Sequence, residues 1–257
     1  MTGSGSVLDT FDVRGRVVIV TGGSRGIGRA IATGFAELGA HVVIASRKAD
    51  ACDAVVAAIT EAGGTALAVP THLGNPAAIS ELVAKTVDHF GGIDVVINNA
   101  ANPLAQPIGS ITAEALAKSH EANLRGPLFL VQDALPHLRA SAHPAVVNVI
   151  TAGVFTSGAG VAIYVSAKAA LLAMTKAMAA ELAPDGIRVN ALAPGTVATD
   201  MLLAAPVEFQ QFAVDTQLIK RMAQPEEMVP GVLFLASDAS SFMTGQTLVL
   251  DGGMTTH

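Results

Sequence analysis

Two hydrophobic patterns alternate along the chain. Short runs rich in β-branched residues, RVVIVT, HVVIAS, TALAVP, IDVVINN, AVVNVI, IRVNALA and TLVLDGG, are separated by longer stretches of helical spacing such as IGRAIATGFAELG, ADACDAVVAAITEAG and PAAISELVAKTVDHFG. Seven strands are therefore predicted. Each run is almost continuously apolar, as a strand must be when both its faces are covered, and the helical stretches are long enough to be the crossovers that parallel strands need. The pattern predicts an α/β protein, a parallel sheet with helices on both faces. Further helices are expected from about Thr112 to Leu138, through Tyr164, and from about Glu226 to Ser237. No linker rich in Pro, Gly or Ser and no repeat divides the chain, so residues 14–257 read as one domain behind a flexible lead-in, residues 1–13.

Residues 199–224 fit neither pattern. They carry Met201, Leu202, Leu203, Phe209, Phe212, Leu218, Ile219 and Met222 between a strand and a helix. Left bare, these side chains would be an apolar liability, so the segment is expected to cover a substrate.

Composition narrows the partners. With 51% hydrophobic residues the chain can build a substantial core, and a net charge of -6 with 15 scattered Lys and Arg residues excludes a nucleic-acid surface. The longest apolar stretch, VAIYVSAKAALLAMTKAMAAELA, carries Lys168, Lys176 and Glu181 on one side, which describes an amphipathic helix and gives no expectation of a membrane partner. The N-terminal stretch has no apolar core of the kind a signal or anchor requires. Cys52 is the only cysteine, so an intramolecular disulfide and a cysteine metal cluster are both excluded, and a reducing cytoplasm is expected. His41, His89, His120, His137, His143 and His257 show no metal-ligand spacing, and no GxSxG follows a strand. They read as surface or strand-end residues, and no metal is expected.

The first strand runs into TGGSRGIG, residues 21–28. Gly22, Gly26 and Gly28 permit a tight turn, close approach of a pyrophosphate and close packing of the next helix, whose N-terminus then faces the phosphates. An NAD-binding protein would place an acid at the end of the second strand, to bind the ribose 2′-hydroxyl. Ser46, Arg47 and Lys48 stand there instead, with Arg25 in the turn, and cations of this kind attract a 2′-phosphate. NADP(H) is therefore preferred, with NAD(H) possible. Tyr164 and Lys168 lie four residues apart and project from one helix face. A nearby ammonium, with the positive nicotinamide ring of the oxidised cofactor, favours phenolate, and lowering a tyrosine by about 3 units takes about 4 kcal/mol.

In order and separation, TGGSRGIG, NNAA at 98–101, Asn123 in EANLRGP, NVIT at 148–151, YVSAK at 164–168, PGTVAT at 194–199 and TGQTLVLDGG at 244–253 resemble the short-chain dehydrogenase/reductase family from about Arg14 to Gly253. The resemblance implies a single, doubly wound Rossmann-like domain, direct hydride transfer between a nicotinamide cofactor and a small-molecule carbonyl or alcohol without a metal, and a homotetramer or homodimer. It makes Tyr164 the general acid and base, and Lys168 the residue that lowers its pKa and holds the nicotinamide ribose. Asn123 becomes the residue that keeps a water relay to Lys168. It assigns cofactor contacts to Ser24, Ile27, Asn99 and Ala100, and makes Pro194, Gly195, Val197 and Thr199 the nicotinamide-side loop.

This chain departs from the family at three positions. Thr151 stands thirteen residues before Tyr164, where the family carries a serine that binds the substrate carbonyl. Its hydroxyl serves, but the extra methyl stiffens the side chain, and overpacking of that kind costs about 1 to 3 kcal/mol. Ser157 offers a second hydroxyl nearby. Ala101 replaces a common glycine, and His72 replaces an aspartate that accepts from the adenine amino group, with the Leu73 backbone still available to the ring. The SRK triplet, His72 and NAANP are closer to NADPH-dependent carbonyl reductases than to acyl-carrier-protein reductases. Two alternatives stay open: a nucleotide-binding regulatory protein with little catalysis, motivated by Thr151, and an NAD(H)-dependent dehydrogenase.

Overall fold

Alternate residues of each central strand feed two separate cores. In the computed structural model, which describes residues 6–156 and 158–256, Val18, Val20, Val42, Ile44, Val95 and Ile97 join one buried cluster, while Ile19, Val43 and Val96 join the other. This is the period of two of a strand whose faces are both covered. The strands are β1 (Val17–Thr21), β2 (His41–Ser46), β3 (Thr65–Pro70), β4 (Val95–Asn98), β5 (Ala145–Val149), β6 (Arg188–Pro194) and β7 (Thr247–Leu250). All pair in parallel, in the order β3-β2-β1-β4-β5-β6-β7.

Helices cover both faces. On one lie α1 (Gly26–Glu37), α2 (Ala49–Glu61) and α9 (Val229–Ala236); on the other lie α3 (Pro76–Phe90), α5 (Gly126–Ala140) and α6 (Ala162–Leu182). Local signals set their ends: α3 starts where the Asn75 side chain accepts the Ala77 N–H, has Pro76 in its first turn, and stops at Gly91 with φ 84°. Helix α6 buries Ile163, Ala167, Leu171, Thr175, Met178 and Leu182 at intervals of three or four residues. Phe35, fully enclosed on α1, is a core anchor whose truncation to Ala would cost about 3–5 kcal/mol.

The expected helix from Thr112 to Leu138 is present with one irregularity. Helix α4 (Ala113–His120) and α5 are joined by a π turn over Glu121–Arg125, with Asn123 inside it. Such turns are rare and recur at functional sites. The strand order reverses between β1 and β4, which opens a crevice at their carboxyl ends, the usual place for a ligand in a sheet of this type.

Two segments take a more definite form than the pattern predicts. Within the lead-in, Val7–Phe11 form a 3-10 turn with a Ser6–Asp9 capping box, and Val13 is buried. Reciprocal capping satisfies backbone donors that a loose segment would leave to water. Residues 1–5, Ser157 and His257 lie outside the described residues. The 199–224 segment folds into α7 (Asp200–Leu203) and α8 (Val207–Asp215); Val214 is buried and Leu202 and Met222 are half-buried, while Phe212 and Leu218 are 66% and 68% exposed.

Candidate active site

The turn after β1 is built around backbone contact with the loop after β4. Gly22 has φ 67°, and a Cβ on it would come within 2.9 Å of the Ala100 Cα. A Cβ on Gly28 would overlap the Asn99 amide nitrogen and the Gly22 carbonyl oxygen. Only glycine fits either place. Thr21 binds the two loops together: its hydroxyl accepts from the Asn99 and Ala100 N–H groups at 3.0 and 3.1 Å and donates to the Ile97 carbonyl. The Asn99 side chain donates back to the Thr21 carbonyl at 2.9 Å. Arg25, at the start of α1, gives that helix no side-chain cap, and its first turn holds no acid. The helix N-terminus is thereby left to an anion, and the glycine cradle fits a pyrophosphate.

At the end of β2, the Ser24 hydroxyl donates to Ser46 Oγ at 2.9 Å, which ties the glycine turn to the segment that carries Arg47 and Lys48. Arg25, Arg47 and Lys48 are exposed, and none forms a side-chain hydrogen bond or ion pair among the described residues. Ile27 packs on the core of the α1 face. Leu73 is buried against Gly126, placing its loop between β3 and α5.

His72 differs from expectation. Its Nδ1 accepts the Gly74 N–H at 3.0 Å, so a neutral ring carries its proton on Nε2. The outer nitrogen is then a donor and cannot accept from the adenine amino group. The loop's tight turn, not the missing aspartate, decides the ring's role.

Tyr164 and Lys168 sit on the first turns of α6, on the face turned to the end of β5. Lys168 is 1% exposed and donates to the Val149 carbonyl at 2.7 Å. Tyr164 is half-buried, and its hydroxyl has no hydrogen-bond partner among the described residues. Burial pushes the Tyr164 phenol up to about 12 and the Lys168 ammonium down to about 7. The expected lowering of the phenol by the ammonium is thus not supplied by the protein's own charges. Loss of hydration penalises the charged form of each group.

Thr151, at the end of β5, accepts the Gly153 N–H on Oγ1 at 3.2 Å and keeps its own proton free to donate. A Cβ built at Gly153 would lie 3.6 Å from the Thr151 methyl, ordinary contact, so the glycine leaves room for it. Asn123 is fully buried, and its side chain is spent on Asn102: Nδ2 donates to the Asn102 carbonyl at 2.9 Å and Oδ1 accepts its N–H at 3.1 Å. Nδ2 also donates to Ser119 Oγ at 3.1 Å, so the amide holds the loop after β4 against α4.

The loop after β6 closes the other side. The Gly195 N–H donates to Leu250, Pro194 and Val197 are buried, Val197 bridges to Ala223, and the Thr199 methyl lies 3.2 Å from a Cβ built on Gly26. A cleft of about 620 Å³ opens beside this contact, between α1 and the 225–230 turn, and does not include Tyr164. Two contributors escaped the sequence reading. Thr21 stood in the glycine motif without a role. Gln217, 2% exposed, accepts from the Thr196 N–H at 3.0 Å and gave no sequence signal, because a glutamine in an irregular segment reads as surface.

A sequence model described as enoyl-(acyl carrier protein) reductase matches residues 22–255. The chain is 39% identical to the short-chain dehydrogenase/reductase SDRA of Arabidopsis thaliana, over 94% of this chain and 95% of that one. It is 36% identical to the (2S)-[(R)-hydroxy(phenyl)methyl]succinyl-CoA dehydrogenase subunit BbsD of Thauera aromatica, over 94% and 97%. Among solved structures, a putative NAD(P)-dependent gluconate 5-dehydrogenase from Beutenbergia cavernae with bound NADP superposes with a TM-score of 0.91 at 34% identity, covering 96% of this chain and all of that one. The protein belongs to the short-chain dehydrogenase/reductase family. It is an oxidoreductase that acts with a nicotinamide cofactor on a small molecule.

Proposed function

We propose that this protein is an NADP(H)-dependent oxidoreductase interconverting a carbonyl compound and the corresponding alcohol, with Tyr164 as general acid and base. One observation carries the reading: the Tyr164 phenol and a threonine hydroxyl with a free proton flank the β5–α6 connection, beside a buried lysine anchored to the same strand end. A carbonyl oxygen seated there accepts from Thr151 and Tyr164, and both bonds strengthen as negative charge develops on it. Tyr164 then transfers its proton to that oxygen. Lys168, with a pKa near 7, gains or loses a proton close to neutrality and so serves the exchange that restores the phenol.

When bound, the nicotinamide supplies the hydride for reduction or takes it up in oxidation. Gly22, Ser24, Arg25, Gly26, Ile27 and Gly28 hold the pyrophosphate side, and Ser46, Arg47 and Lys48 the 2′-phosphate. Leu73, with His72 as a donor, borders the adenine. Asn99 and Ala100 shape the floor, and Pro194, Gly195, Val197 and Thr199 hold the nicotinamide side with Lys168. Asn123 supports the site through the Asn102 loop. The apolar 199–224 segment covers an apolar substrate.

The same reading makes the protein a homotetramer or homodimer in the cytoplasm. The outward Leu116 on α4 and Leu128 on α5, each 39% exposed, and the free edge of β7 support association. Fluorescence titration with NADPH and NADH, followed by NADPH oxidation across ketones, aldehydes and quinones, tests the function. NADPH should bind about tenfold more tightly than NADH, and at least one carbonyl class should turn over. Equal affinity for the two cofactors would overturn the preference.

A further inference from the structure

Gln217 lies at the exit of the covering segment and belongs to none of the motifs described above. Its side chain is almost wholly enclosed and uses both ends of the amide. Oε1 accepts the Thr196 N–H at 3.0 Å, while Nε2 donates to the Ile219 carbonyl at 3.1 Å and the Arg221 carbonyl at 2.8 Å. Thr196 belongs to the loop after β6, between Gly195 and Val197. The same amide therefore joins the nicotinamide-side loop to the end of the covering segment.

Surrounding bonds make this junction firm at one end and open at the other. The Leu218 and Ile219 N–H groups both donate to the Gly252 carbonyl at 2.9 Å, and a Cβ built on Gly252 would lie 3.3 Å from the Gln217 amide nitrogen. Ala223 donates to the Thr196 carbonyl and accepts from Ala198, and the Thr196 hydroxyl reaches the Ala213 carbonyl on α8. By contrast Met201, Leu203, Phe209 and Phe212, on α7 and α8, remain exposed. The covering segment is thus bonded to the loop after β6 around Gln217, Ala213 and Ala223, with Val214 buried beside them, and carries its exposed apolar side chains farther from that point.

We infer that Gln217 is a positioning residue, which sets the Thr196–Thr199 loop against the base of the covering segment and so couples the seating of the nicotinamide half of the cofactor to closure over substrate. It touches neither ligand. This rests on the function proposed above, and it separates the two halves of the cofactor: Arg47 and Lys48, which hold the 2′-phosphate end, follow β2, and β1, β4 and β5 lie between β2 and β6 in the sheet.

The test measures binding of NADPH and of 2′,5′-ADP, which carries only the phosphorylated adenosine half, to wild type, Gln217→Met and Gln217→Leu. Methionine keeps the length and removes every hydrogen bond of the amide; leucine is a second apolar replacement should methionine fail to yield folded protein. Both variants should bind NADPH about fivefold to tenfold more weakly and 2′,5′-ADP as wild type does. Substrate KM should rise with a fall in kcat. Equal weakening of both ligands would mean general destabilisation, and no change in either would mean an inert amide; each overturns the inference. A wild-type protein that binds neither ligand removes the proposed function, and this inference with it.

Discussion

Lys168 and the Arg47–Lys48 pair carry the same formal charge in opposite surroundings. Lys168 is enclosed, bonded to a backbone carbonyl, and drawn down to about 7 by burial. Arg47 and Lys48 stand in solvent and form no ion pair among the described residues. Burial turns a cation into a group that exchanges protons near neutrality; exposure leaves it a fixed charge whose worth is attraction for an anion and falls with salt. In the proposed function the fold uses the same chemical type twice, for proton handling at the end of β5 and for cofactor choice at the end of β2.

The largest expected effect lies on the buried side. Tyr164→Phe removes the proton donor and leaves the glycine cradle and the cations untouched. Turnover of NADPH with a reactive carbonyl should fall about 10²-fold to 10⁴-fold, while the NADPH dissociation constant stays within about twofold. A phenylalanine variant with near-normal turnover would remove Tyr164 from the chemistry. On the exposed side, Arg47→Ala with Lys48→Ala should weaken NADPH by about tenfold or more and leave NADH almost unchanged. Repeating the titration at high salt sharpens the contrast, since wild type should lose more affinity than the double variant, which keeps only the pyrophosphate contacts.

A smaller effect reads the buried lysine through stability. Burial lowers Lys168 from 10.5 to about 7, so between those values the unfolded chain holds a proton that the folded chain has lost. The penalty is complete below about pH 7 and is relieved as pH rises toward 10.5, so unfolding free energy should increase over that window, by at most about 1.4 kcal/mol per pH unit from this group. Urea unfolding at pH 7 and pH 9, wild type beside Lys168→Met, checks the sign. Methionine should remove this contribution to the slope.

The strands were legible because β1, β2 and β4 are apolar on both faces, which leaves a continuous mark in sequence. The glycine turn was legible because Gly22 and Gly28 are dictated by backbone contact. Helices α7 and α8 left no such mark: Val214 alone among their apolar side chains is buried, and Met201, Leu203, Val207, Phe209 and Phe212 are exposed. The direction of the Tyr164 shift was hidden for another reason. Spacing places the phenol and ammonium on one face, but only the packed structure shows that desolvation is the larger influence on both. His72 shows the same limit, since the bond that fixes its tautomer comes from the Gly74 turn.

Thr151 gives the finest test, because it separates the hydroxyl that chemistry needs from the methyl that sequence alone treats as a burden. The hydroxyl is already aligned by the Gly153 N–H, and the same glycine leaves ordinary van der Waals space beside the methyl. Thr151→Ser should therefore change kcat by less than about fivefold, equivalent to under about 1 kcal/mol at the transition state. Thr151→Val keeps the shape and loses the donor, and should cost about 10²-fold or more if a single oxygen-binding donor is worth what it is at other developing oxyanions. A serine variant many times faster than wild type would show that the methyl crowds substrate in the closed site. Adding Gly153→Ala would then identify the source of that crowding, since its methyl would meet Thr151 from the side that is open now.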